Sequence, residues 1–116
     1  MARSQQEICR KHGAIYEPVL INSKIGITEN TKEHVYPLNG LRIRSEGDTS
    51  GWYIWAGQGE PSDDPSFFKP LHIAHLETWY PEVVPYLGLP PGWRFLLAQN
   101  YEDVWFDSKL LEPQNE

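Results

Sequence analysis

Leu41, Arg42, Ile43 and Arg44 alternate apolar and basic side chains, the period of a strand with one buried and one wet face. After the turn-rich stretch SEGDTSG, residues 45–51, the segment WYIWA keeps the period of two. Trp52, Ile54 and Ala56 share one face and Tyr53 and Trp55 the other, so the two strands are expected to pair as a hairpin. WRFLLAQ and DVWFD, which flank the Asn100-Tyr101-Glu102 turn region, predict a second hairpin. Between the hairpins the period lengthens. Ile73, Leu76 and Tyr80 recur at spacings of three and four, predicting a helix over Leu71 to Trp79 with its lead-in at Pro65 and Asp63 or Asp64 as cap. Pro81 should end or kink it, PEVVPYLGL adds a short helical turn closed by Gly88, and Pro90-Pro91-Gly92 returns the chain to the sheet.

Ser4 to Lys11 predicts a short helix with Ser4 as N-cap, Ile8 as its main apolar contact and Gly13 as stop signal. AIYEPVLI, residues 14–21, reads as a strand held to an edge by Pro18, which has no N–H to give a ladder. NSKIGITENTKEHVYPLNG then reads as an irregular connection or weak hairpin. Strands at both ends with helices between them indicate an α+β fold: a small antiparallel sheet of two or more hairpins with helices packed on one face. At 116 residues the expectation is a single domain over 1–116.

Composition adds an aromatic core, because five Trp, six Tyr and four Phe supply large apolar area despite the polar loops. One cysteine cannot form an internal disulfide, which points to a reducing compartment, and Cys9 reads as a half-buried thiol. The N-terminal stretch has no apolar core of a signal peptide and no run is apolar enough to cross a membrane, so a cytoplasmic protein without membrane contact is expected. Charge is divided along the chain. Up to Ser45 seven Lys and Arg face four Glu; from Glu46 onward three basic residues face twelve acidic ones. Such a body repels phosphate backbones, which argues against nucleic-acid binding and for a basic protein partner.

Candidate chemistry is sparse. His72 and His75, one turn apart and near Asp63 and Asp64 in sequence, are candidates for a metal site, yet no third ligand has diagnostic spacing. Asp63 and Asp64 are equally well explained as helix caps, and Glu102 with Asp103 as a solvated turn. Cys9 lacks an obvious base, and the glycines of GQGEPSDD lack the Lys and Ser or Thr of a phosphate loop. No cofactor is implied. The aromatic strand leaves three readings open: helix and loop cover both faces, one face offers rings to a partner, or the Trp rings line a sugar site.

Taken together, SGWYIWAGQGEPSDDPSFF, HLETWYPEVVPYLGLPPGWRFL and YEDVWFD resemble the immunity-protein-33-like family of bacterial polymorphic toxin systems. The resemblance rests on Ser50-Gly51-Trp52, Gly57, Glu60, the segment from Asp63 to Phe67, Pro81, Pro85-Tyr86-Leu87 and Gly92. It covers roughly Gly40 to Leu111, with an N-terminal helix and strand over 1–39 outside it. The resemblance implies a non-catalytic cytoplasmic protein, monomer or weak dimer, that binds and neutralises a cognate protein toxin. With the charge pattern, it suggests a basic toxin held on an acidic, aromatic-containing surface of Trp55, Glu60, Asp63, Asp64, Glu102, Asp103 and Asp107. A small metal-assisted hydrolase using His72 and His75, and a regulatory or scaffold domain without a toxin, are the alternatives.

Overall fold

The computed structural model describes residues 2–20, 22–28, 31, 35–61 and 67–112. Six strands form one sheet: β1 (Lys24–Ile27), β2 (Leu38–Arg42), β3 (Thr49–Ala56), β4 (Lys69–His72), β5 (Trp93–Ala98) and β6 (Tyr101–Phe106), in the spatial order β4-β1-β3-β2-β5-β6. Two α-helices, α1 (Ala2–His12) and α2 (Ile73–Trp79), join the sheet in an α+β fold, and the 3₁₀ segments among the described residues include Pro81–Tyr86 and Ser108–Leu111. Both expected hairpins are present, β2 with β3 and β5 with β6. The sheet is mixed and not antiparallel throughout, because β1 runs parallel to β3. That strand comes from the stretch read as an irregular connection. Its KIGI is too short to show a clear period, and Gly26 leaves room for the Tyr53 ring, whose nearest carbon would lie 2.7 Å from an added Cβ.

Strand register sorts the side chains. Leu38, Gly40 and Arg42 of β2 lie opposite Ala56, Ile54 and Trp52 of β3, and Gly40 also faces Phe95 of β5. These positions share the face covered by Cys9 of α1, Ile73 and Leu76 of α2, and Leu87 and Leu89 of the turn that follows. Helices therefore sit on one face of the sheet. At Gly40 the Phe95 ring approaches so closely that an added Cβ would stand 2.2 Å from it, which leaves glycine as the residue that fits. Ile73, Leu76 and Tyr80 form the buried stripe that the spacing predicts. The helix starts two residues later than expected because Leu71 and His72 pair with β1 as part of β4.

Four further expectations are corrected. The helix at the N-terminus begins at Ala2, ahead of the proposed cap Ser4, and buries Gln5 and Cys9 more deeply than Ile8. Cys9 is fully buried, its Sγ donating to the Gly88 carbonyl at 3.3 Å. Residues 14–20 form no strand; Pro18 lies there and Ile15 and Leu20 point to solvent. The second turn falls at Gln99 and Asn100, leaving Tyr101 and Glu102 inside β6. Asn100 adopts the left-handed φ of 59° that asparagine tolerates well.

The largest correction concerns Arg42, which the alternation assigns to a wet face. It is 3% exposed and lies on the core face, its guanidinium 5.8 Å from the Trp52 ring centroid. Nε donates to the Ser50 carbonyl at 3.0 Å, and Nη1 donates to the carbonyls of Glu17 at 2.9 Å and Leu89 at 2.8 Å. Burial pulls its pKa down, and the Glu17 carboxylate 3.8 Å away works against that pull. A charge this deep is tolerated because backbone oxygens replace its water. Arg42→Met should therefore lower stability by roughly 3–5 kcal/mol, since it strands buried carbonyls, and Arg42→Lys should recover little, lacking the planar fork. Denaturant unfolding checks this as a fall in midpoint at unchanged slope.

Candidate functional site

The β5–β6 hairpin and the residue that follows it carry Glu102, Asp103 and Asp107, half of the acidic residues singled out from the sequence. Alternation along β6 puts Tyr101, Asp103 and Trp105 on the face away from the helices, and Glu102, Val104 and Phe106 on the helix side. Opposite Trp105 stands Arg94, with its guanidinium 5.4 Å from the ring centroid. Nη1 of Arg94 donates to Asp107 Oδ2 at 3.1 Å, and Nη2 donates to both carboxylate oxygens of Glu60 at 3.0 and 3.2 Å. One cation thus joins the loop after β3 to the end of β6. Its side chain is 13% exposed while that of Glu60 is 74% exposed, so the site turns carboxylate outward over a shielded guanidinium. Asp103 is exposed and has no ion-pair partner among the described residues.

Glu102 belongs to a different cluster, at the corner where α1 meets the hairpin. Lys11 Nζ donates to its Oε1 at 2.9 Å, and the Tyr86 hydroxyl donates to Oε2. Burial first, and the carboxylate second, push the Tyr86 hydroxyl well above the ordinary tyrosine range. The same hydrogen bond, aided by Lys11, holds the Glu102 carboxyl below its usual value. Beside them Tyr36 donates to Glu82 at 2.9 Å. A cleft of about 380 Å³ runs between Tyr36, Glu82, Tyr86, Tyr101 and Glu102.

The remaining candidates separate. Trp55 is 2% exposed: Nε1 donates to the Gly59 carbonyl at 3.0 Å and the ring lies against Phe68, so a loop covers the second face of β3 here. Asp63 and Asp64 lie outside the described residues. His72 and His75 are exposed, with ring centroids 6.4 Å apart, and among the described residues no group of three His, Cys, Asp or Glu is gathered that could hold a metal ion. The Cys9 thiol is buried and its pKa is raised by that burial, which makes it a poor nucleophile. No described helix is long and apolar enough to cross a membrane. Sequence reading missed Arg94, Lys11, Tyr36 and Tyr86. A single arginine inside WRFLLA is itself a signal, because a cation in an apolar strand needs partners close by.

A family model described as the Imm33-like domain matches residues 4–107. The matched span takes in α1 and β1 as well as both hairpins. No curated protein and no solved structure gives a significant match.

A depressed Glu102 carboxyl in the folded state means that its contacts stabilise the fold above the unfolded carboxyl pKa of about 4.3 and lose that effect as pH falls through the lower, folded value. Glu102→Gln should thus be less stable than the unmodified chain at pH 7, with the gap closing on acidification below pH about 4. Thermal melts of both proteins from pH 7 downward measure the gap; a difference independent of pH would remove the carboxylate from the explanation.

Proposed function

We propose, because the chain belongs to the Imm33-like family, that it binds and neutralises a cognate bacterial protein toxin and performs no catalysis itself. The family name supports an immunity role. The toxin is a basic protein, and its capture takes place in the cytoplasm by a single-domain monomer or weak dimer. The observation that carries the reading is the acidic face of the β5–β6 hairpin, where Glu60 and Asp107 bracket one shielded guanidinium and Asp103 stands exposed on the neighbouring strand.

Two physical requirements favour this face. A nanomolar complex needs about −12 kcal/mol, which screened surface charge cannot supply alone. Charge speeds encounter, and desolvated aromatic side chains then slow release. The hairpin offers both within one surface: exposed Asp103 for steering, with exposed Tyr101 and half-buried Trp105 as contact area. Blocking a cationic substrate groove, such as that of a nuclease, is the mode of inhibition such a surface fits best.

Identification of a toxin reading frame beside that of this chain, followed by co-expression of the two, tests the reading directly. The unmodified chain should rescue growth and copurify with the toxin. The double charge reversal Glu60→Lys with Asp103→Lys, at two exposed positions, should slow association by tenfold or more at low salt, with the difference shrinking as salt rises. Failure of the unmodified chain to protect would reject the immunity reading, whereas unchanged association rates in the double variant would reject the hairpin face.

A further inference from the structure

The two edges of the sheet are guarded unequally. β4 is four residues long and contains Lys69 and Pro70, both of which discourage an added strand. β6 is six residues long and contains neither proline nor any basic residue. Its backbone orientation follows from two observations. The Asp107 N–H donates to the Gly92 carbonyl at 2.7 Å, and the hairpin closes at the pair Ala98 and Tyr101. Since N–H and C=O directions alternate along a strand, Tyr101, Asp103 and Trp105 turn their backbone groups to β5. Glu102, Val104 and Phe106 then point theirs away from the sheet, and no described residue bonds to them. Among the described residues, the stretch after β6 leaves this edge open, because Leu110 and Leu111 lie beside Ile43 and Tyr53.

We propose that the free edge of β6 is a docking site where an extended, basic segment of a protein partner adds to the sheet as a seventh strand. This deepens the toxin-binding reading and rests on it for the identity of the partner. Three residues with outward backbone groups can exchange up to about six main-chain hydrogen bonds with such a segment. Charge decides its composition. Among the described residues Asp103 has no ion-pair partner on one face, Glu102 is paired with Lys11 yet remains 28% exposed on the other, and nothing basic stands in the strand. Lys or Arg opposite these positions would meet carboxylate while their stems lie along Tyr101 and Phe106, which are 56% and 49% exposed. An acidic segment would meet like charge at both places.

The test uses the full chain, labelled for amide exchange, and a short acetylated and amidated peptide alternating Lys with Thr. Exchange at the amides of Glu102, Val104 and Phe106 should slow by about tenfold or more at saturating peptide, while the amides already bonded to β5 change little. A peptide alternating Glu with Thr should have no effect. Val104→Pro removes one outward N–H without removing a bond to β5 and should abolish the protection; Val104→Ala, which keeps the N–H, should retain it. Should Val104→Pro fail to fold, the contrast between the two peptides on the unmodified chain decides. Unslowed amides, equal slowing by the acidic peptide, or protection that rises with protein concentration alone, marking a second copy, would each overturn the proposal. A chain that protects cells yet shows no slowing sinks the edge and spares the toxin-binding reading. Slowed amides in a chain that protects against no toxin have the opposite meaning.

Discussion

A guanidinium held at 3% exposure is the constraint on which the rest of the fold depends. Removing a cation from water costs several kcal/mol unless each donor finds an acceptor in the protein. For Arg42 the acceptors come from places distant in sequence: the Glu17 carbonyl after α1, the Ser50 carbonyl in β3 and the Leu89 carbonyl after the 3₁₀ segment. No pair of neighbouring elements can satisfy it. A partly assembled molecule would carry a buried cation with stranded donors, so the network favours states in which all of these segments have arrived. The Trp52 indole strengthens the arrangement, because its Nε1 donates to the Leu87 carbonyl at 3.0 Å within the same turn that Arg42 holds.

That centre also decides which surface is left for other chemistry. With Arg42, Trp52, Ile54 and Phe95 turned to one side, both helices and the 3₁₀ turn must pack there. The N-terminal coil is drawn in by the Glu17 carbonyl and by the Glu17 N–H, which donates to Gly88 at 2.8 Å. Among the described residues, the opposite face receives Phe68 over Tyr53 and Trp55, and the C-terminal 3₁₀ segment near Ile43. The β5–β6 hairpin, two strands away from the parallel pair, stands furthest from the helical cover of α2. Asp103 on its outer strand is consequently exposed without any cost to the core.

Strand period made both hairpins legible in the sequence, and helical period made α2 legible, because each buries a regular stripe: Trp52 with Ile54 in one case, Ile73 with Leu76 in the other. Two features resisted reading for physical reasons. β1 has only four residues, one of them glycine, and it is recognisable as a strand only through its partners β3 and β4. Arg42 follows an apolar-basic alternation that ordinarily marks a wet face, and its burial depends on carbonyls contributed from elsewhere. Of the candidate site, Glu60 and Asp107 were found as separate acids, yet the residue that joins them, Arg94, was read simply as part of a strand. The ring of Trp55 illustrates the converse, since its burial depends on Phe68 and Gly59 and nothing in the alternation distinguishes a ring under a loop from one in solvent.

An acidic surface built around a shielded cation differs from a bare cluster of carboxylates. Three unpaired acids side by side repel one another, and the folded state bears that cost in the absence of a partner. At the Arg94 site the repulsion between Glu60 and Asp107 is offset by the guanidinium between them, while stacking on Trp105 fixes the guanidinium in place. The site is therefore ordered before binding, and its outward oxygens can still accept from an incoming cation. Less side-chain freedom is lost on contact, so more of the interaction free energy remains for affinity. The same reasoning applies to Glu102, which Tyr86 and Lys11 hold in one orientation from the inner side. Asp103 lies between these two braced sites without a brace of its own, which makes it the one carboxylate on β6 whose charge an added cation would neutralise without competition.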